Sequence, residues 1–265
     1  MRDSLPGPQF WARIRSHTGE VTEVQRTARG FMSDLTALVE CEKGPFFLKA
    51  VANRPGGRRD SIIRERRINA AVMPISPGLR WCAESDEWIV LGFTAVAGRT
   101  SDFTPGSGDL PAVVALLNRM GALPLPRVAR DWTETRWDRF AAGQAEATLF
   151  RGGALLHTDI NESNLLIGDR QAWAVDWAWP TRGAAFIDPA CLVVQLVAAG
   201  HQAQDAESWA ARCPAWTSAD PRALDAFAAA STRMYQRFAE RKPGSWFDSM
   251  AAAARRWAAG RGVTL

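Results

Sequence analysis

The sequence predicts an α+β protein on three observations. Short apolar and β-branched runs crowd its first part, at residues 35–40, 46–51 and 88–93, with a weaker candidate at 21–27. Helical stripes take over beyond residue 109. Between the later helices lies a small hairpin. Leu165, Leu166 and Ile167 on one side, and Ala172, Trp173, Ala174 and Val175 on the other, flank Gly168-Asp169-Arg170-Gln171. Those runs are too short for helices and are broken by turn residues.

Composition narrows the class. With 265 residues the chain can build one large domain or two lobes with a real core. A hydrophobic share of 47% against 23% charged residues is that of a globular chain, not a disordered one. The longest apolar run, residues 191–199, is too short to span a membrane. Residues 1–15 lack the apolar core of a signal peptide, so the expected location is the cytoplasm. Cys41, Cys82, Cys191 and Cys213 form no C-x-x-C pair, and with only three histidines they point to neither a zinc site nor a disulfide framework. Net charge is +4, too small to imply nucleic acid, and the basic run at 54–67 is interrupted by Asp60 and Glu65 and reads as a solvated loop and helix face. The twelve tryptophans read as large apolar anchors in helix packing.

Taken in order, a short helix is expected near residues 9–16. The strand pair 35–40 and 46–51 is joined by a turn at Gly44-Pro45. Lys49 sits inside the second strand, where a buried ammonium needs a partner. Residues 61–73 read as a helix ending before Pro74, with Ile62, Glu65, Ile68 and Asn69 on one face. A lone carboxylate on that apolar face would be costly. A Lys49–Glu65 ion pair satisfies both groups. Residues 88–93 form a buried strand. Asp109 can cap a helix with Pro111 in its first turn, running to Gly121. Asp131-x-x-Glu134 resembles a capping box opening a helix through about residue 149. Asp188-Pro189 starts an apolar core helix ended by Gly200, and three more helices are expected at 205–212, 220–241 and 245–259. Leu224, Phe227, Met234 and Phe238 make one stripe in the second of these, and Phe247, Met250, Ala254 and Trp257 one in the third.

The chemistry concentrates at residues 155–177, LLHTDINESNLLIGDRQAWAVDW. A polar loop carrying His157, Asp159 and Asn164 precedes the hairpin, and Asp176 follows it. Two carboxylates and a carboxamide at one end of a hairpin can hold a divalent cation and still leave one carboxylate as a base. No G-x-x-x-x-G-K-[ST] phosphate loop is present, which disfavours a Walker-type kinase.

HTDINESN, VDW and the DPA beginning at Asp188 resemble the aminoglycoside phosphotransferase family, protein-kinase-like small-molecule kinases whose corresponding segments read HGDLHPGN, I-D-W or I-D-F, and D-P-A. The resemblance implies a bilobal protein-kinase-like fold. Its N-lobe is a small antiparallel sheet plus one helix, residues 1–97 with the hinge, binding nucleotide. Its C-lobe, residues 98–265, is mostly helical and carries the catalytic hairpin and the substrate site. It also implies roles. Asp159 is the catalytic base, and Asn164 and Asp176 are Mg²⁺ ligands. Lys49 holds the α- and β-phosphates of ATP or GTP, and Glu65 aims it. Residues 28–34 cover the phosphates, and with only Gly30 in that loop the Ser33 hydroxyl and backbone amides do the cradling. The hinge falls at Phe93, Ala95 and Val96. His157 and Asp188 are structural in this reading.

The function implied is Mg²⁺-dependent transfer of a γ-phosphate to a hydroxyl of a small molecule, an antibiotic or related metabolite. Residues 177–187 alone separate Asp176 from Asp188, too few for a long regulated loop, and no A-P-E signature follows, which favours a metabolite over a protein. The net basic balance, with few clustered acids after Asp188, makes a neutral or weakly charged acceptor, such as a macrolide, nucleoside or sugar-like metabolite, at least as well suited as a polycationic aminoglycoside. The alternative is a catalytically degenerate kinase-fold protein that only binds a ligand, motivated by the one-glycine loop and by D-W-A in place of D-F-G.

Overall fold

A computed structural model describes residues 6–27 and 33–264. The chain divides into two compact units, Met1–Ala97 with Val175–Trp179, and Gly98–Ala174 with Pro180–Leu265.

The first unit contains α1 (Pro8–Thr18), β1 (Val21–Arg26), β2 (Leu35–Cys41), β3 (Phe46–Ala52), α2 (Gly57–Val72), β4 (Leu79–Glu84) and β5 (Trp88–Thr94). The strands form one antiparallel sheet in the order β1-β2-β3-β5-β4. Alternation along the strands sorts side chains to two faces. Leu35, Ala37, Val39, Leu48, Ala50 and Val90 pack with Phe10 and Ile14 of α1. Val51, Ile89, Leu91 and Phe93 pack with Ile62 of α2. Lys49 lies between Leu48 and Ala50 in sequence, so the pleat turns it to the α2 face.

The second unit contains β6 (Arg99–Thr100), α3 (Leu110–Gly121), α4 (Gln144–Leu149), β7 (Ala154–Leu156), β8 (Leu165–Ile167), β9 (Ala172–Ala174), β10 (Thr181–Gly183), α5 (Ile187–Ala198), α6 (Ala203–Ala210), α7 (Pro214–Thr217), α8 (Pro221–Arg241) and α9 (Trp246–Gly260). The predicted hairpin is β8–β9, extended by β6, while β7 pairs with β10. Phe227 of α8 is the hub of the core, with the rings of Trp137, Phe150, Phe186 and Trp257 between 4.7 and 6.5 Å away. Buried alanines on α8 (Ala223, Ala226, Ala230) and on α9 (Ala251, Ala254, Ala258) let those helices pack closely. Asp220 and Ser245 cap them, each accepting an amide two residues on.

The expected fold class, an antiparallel sheet with one helix followed by a mostly helical part with a hairpin, is the one observed. Several elements differ from expectation. No helix spans residues 131–149. Thr133 instead bridges Arg182, and the Glu134 amide donates to the Arg182 carbonyl at 2.9 Å. Buried Glu134 uses its side chain on the Thr181 hydroxyl (2.7 Å) and the Arg136 amide (2.6 Å), so tertiary partners override the capping pattern. Asp109 occupies the expected N-cap position of α3, but its side chain makes no capping bond to the helix. Its carboxylate takes a two-pronged bond from Arg99 (2.5 and 2.6 Å) and the Asp102 amide (2.9 Å). The Arg99 guanidinium accordingly holds the Asp109 carboxyl below its ordinary range. β4 and α7 carry too little periodicity to have been read. α2 begins earlier than expected because Arg58, awkward in a first turn, pairs with Asp34, and Arg59 bonds Asn53 at 2.7 Å.

Candidate active site

In the first unit the site is built around Lys49. The ammonium lies 2.7 and 2.9 Å from the two oxygens of Glu65 and 2.6 Å from Oδ1 of Asp176. Lys49 and Glu65 are each only 6% exposed. Burial pulls the lysine pKa down. The carboxylates of Asp176 and Glu65 more than reverse this and hold it above its ordinary value. The ion pair expected from strand and helix phase is therefore present, with a third member added. Glu65 fixes the ammonium from the helix, and Asp176 meets it at the protein's partly exposed side.

Asp176 has φ +63, in the left-handed region. A non-glycine residue holds that conformation at a cost and only where its surroundings require it. Three residues on, the ring of Trp179 lies under Arg64 of α2, 5.1 Å from the guanidinium carbon to the ring centre. Two contacts thus tie the Val175–Trp179 segment to the first unit.

Of the expected phosphate-covering loop, residues 28–32 lie outside the described residues. Ser33 follows them, half-buried, next to Asp34, whose carboxylate accepts the Ala52 amide at 2.9 Å and pairs with Arg58. Phe93 ends the buried part of β5 with its ring in the α2-facing core, so it has only backbone to offer a ligand. Ala95 and Val96 follow in irregular, half-buried chain.

In the second unit the loop after β7 carries Asp159. Its side chain is exposed, whereas its neighbours His157 and Thr158 are buried. Asn164 donates its amide nitrogen to the Asp159 carbonyl and to Oδ2, both at 2.9 Å. Asn161 bonds the same carbonyl at 3.2 Å and Oδ1 at 3.1 Å, and its own oxygen accepts the amides of Ser163 and Asn164. Asp188, in the first turn of α5, accepts the amides of His157 and Thr158, each at 2.8 Å. Burial pushes its carboxyl up, against the pull of those bonds. Asp188 therefore steadies the loop; it is not the N-cap of α5, a position that belongs to Phe186.

The structure thus gathers Lys49, Glu65 and Asp176 within the first unit, and Asp159 and Asn164 within the second. No sequence pattern marks Asn161 or Arg136: Asn161 acts on the carbonyl and Oδ1 of Asp159, Arg136 on the carbonyl and hydroxyl of Thr158, and neither pairing leaves a motif. Among the described residues no group of three or more His, Cys, Asp or Glu makes a self-sufficient metal cage. Each donor expected for Mg²⁺ suits a hard cation by its own chemistry. The Asn164 nitrogen is committed to Asp159, so the oxygen is what the carboxamide can offer a cation, and Asp176 supplies a carboxylate. Magnesium bound with substrate phosphates needs only one or two such protein donors.

No protein-family model matches the chain, and no curated protein matches it in sequence. Solved structures do match in fold. The choline kinase LicA of Streptococcus pneumoniae is similar at 12% identity, with TM-score 0.61 and 97% of this chain and 98% of that one covered. An amicoumacin kinase solved with AMP-PNP, Ca²⁺ and its ligand is similar at 12% identity and TM-score 0.61, over 96% and 94% of the two chains. A type VIII aminoglycoside-3'-phosphotransferase is similar at 15% identity and TM-score 0.52, over 95% and 98%. The protein has the fold these small-molecule kinases share.

Proposed function

We propose that this chain, having the fold of small-molecule kinases, is a Mg²⁺-dependent phosphotransferase that moves the γ-phosphate of ATP or GTP to a hydroxyl of a small molecule. The observation that carries the reading is the buried Lys49 ammonium held between Glu65 and Asp176. A buried ammonium needs a partner, and Glu65 supplies one; the further carboxylate of Asp176, itself partly exposed, is what supports a ligand-binding role for the cluster. In this reading residues 1–97 bind nucleotide and residues 98–265 bind the acceptor, in the cytoplasm.

Lys49 holds the α- and β-phosphates and Glu65 keeps it aimed. Backbone at Phe93, Ala95 and Val96 takes the base, and Ser33 lies against the phosphates. Asn164 and Asp176 hold Mg²⁺, which when bound neutralises charge on the phosphate oxygens. Asp159, exposed and oriented by Asn161 and Asn164, accepts the proton of the acceptor hydroxyl as the hydroxyl oxygen bonds to the γ-phosphorus and the bond from that phosphorus to the β-phosphate oxygen breaks, releasing ADP or GDP. The acceptor is an antibiotic or related metabolite. A net charge of +4 suits a neutral or weakly charged one at least as well as a polycationic one.

The test is a screen of hydroxylated metabolites for acceptor-dependent formation of ADP or GDP, wild type beside Asp159→Ala. Turnover by the wild type alone supports the reading. Nucleotide-dependent protection against unfolding with no turnover, identical in both proteins, would instead favour the ligand-binding alternative.

A further inference from the structure

Thr158, between His157 and the proposed base Asp159, has φ +63. Glycine enters this left-handed region freely. A β-branched side chain does so only under constraint, and such strain persists where the surroundings over-determine it. The surroundings here grip the residue from two sides. Asp188 accepts the amides of His157 and Thr158. From the other side Arg136 donates to the Thr158 carbonyl at 2.8 Å and to the Thr158 hydroxyl at 2.9 Å.

Arg136 is itself fixed. Its amide donates to buried Glu134 at 2.6 Å, and its guanidinium carbon lies 5.1 Å from the centre of the Trp137 ring. Trp137 in turn packs on the hub residue Phe227 at 4.7 Å. A rigid chain therefore runs from the core of the second unit to the peptide preceding Asp159. The bond to the threonine hydroxyl matters most. It uses the side chain that makes this conformation costly to hold the conformation in place.

We propose that Arg136 is a positioning residue for Asp159: its two-pronged grip on Thr158 holds the strained turn that aims the carboxylate. The inference rests on the phosphotransferase reading for its catalytic half, while the grip itself does not. Arginine suits the task because its planar fork spans two oxygens at once, which a lysine ammonium cannot do in the same way. Replacing Thr158 by glycine removes both the strain and the hydroxyl. The arginine then has much less to hold.

The experiment is a double-mutant cycle with Arg136→Ala and Thr158→Gly on the full chain, read two ways. The first readout is thermal unfolding without ligand. Arg136→Ala is expected to lower Tm by several degrees, and by clearly less when Thr158→Gly is already present. The second is nucleotide turnover, with water as acceptor if no other is known. Arg136→Ala is expected to lower kcat by at least about ten-fold with the nucleotide KM unchanged, since small misplacements of a reacting group are costly. Adding Thr158→Gly is expected to restore most of that loss. Additive Tm changes overturn the grip. A fall in KM-type binding with kcat intact, or no rescue by Thr158→Gly, overturns the positioning role. If wild type and Asp159→Ala turn nucleotide over equally, the phosphotransferase reading and the positioning role fall together, while the Tm cycle still decides whether Arg136 holds the turn.

Discussion

Asp159 and Lys49 contribute in opposite ways. Asp159 is exposed and held by two asparagines, so its removal touches little packing. Asp159→Ala is expected to cut kcat by about 10²- to 10⁴-fold, the usual share of a general base, with nucleotide affinity nearly unchanged in a binding titration. Lys49 is buried, and its loss removes the ammonium that lies 2.7 Å from Glu65. Lys49→Met is expected to destabilise the fold by about 3 kcal/mol in denaturant unfolding, and a second change, Glu65→Gln, to recover much of that. The pH dependence follows from the sign of the shift. A lysine pKa raised in the folded state gives stability that is fully present below the unfolded value and is lost only as pH rises through the folded one. Stability attributable to this cluster is therefore expected to stay flat across neutral and mildly alkaline pH and to fall only at strongly alkaline pH. A fall near neutrality in the difference between wild type and Lys49→Met would contradict it.

At the scale of elements, β5 shows how closely the sheet is fitted. Gly92 faces the Trp81 ring so tightly that an added Cβ would lie 2.2 Å from it. Trp81 is stacked on His17 of α1, ring centres 4.8 Å apart, and cannot move without disturbing that contact. Gly92→Ala is expected to cost about 1–3 kcal/mol in denaturant unfolding, as overpacking does. An unchanged midpoint would show that the ring relaxes freely. Elements with a clear period were legible in the sequence: β2, β3, β5, α3, α8 and α9, with boundaries within a residue or two. Those set by tertiary partners were not. Residues 131–149 carry a capping signature, yet Glu134 spends its carboxylate on Thr181 and its backbone on Arg182. Asp109 carries a capping residue's chemistry but is captured by Arg99.

For the whole molecule, the order of chemical groups along the chain was more informative than any one motif. Lys49 and Glu65 could be paired from strand and helix phase alone, and the structure places them 2.7 Å apart. The third partner, Asp176, lies far along the sequence, and only the return of Val175–Trp179 to the first unit brings it to Lys49. No local pattern encodes that return. The supports of Asp159 were hidden for a related reason: Asp188 acts on two backbone amides, which leave no signature in residue type, and Arg136 reaches the carbonyl and hydroxyl of Thr158 from 22 residues away. The fold is shared with kinases of choline, amicoumacin and aminoglycosides at 12–15% identity, so acceptor choice has to be read by experiment and not by likeness. The measurement that tests the account most directly follows the label from γ-labelled ATP or GTP, with Mg²⁺ and a panel of hydroxylated small molecules, to its destination. The account predicts label in a phosphate ester of an acceptor with the wild type and none with Asp159→Ala. Label that stays on the nucleotide in both proteins, despite nucleotide binding, would contradict it.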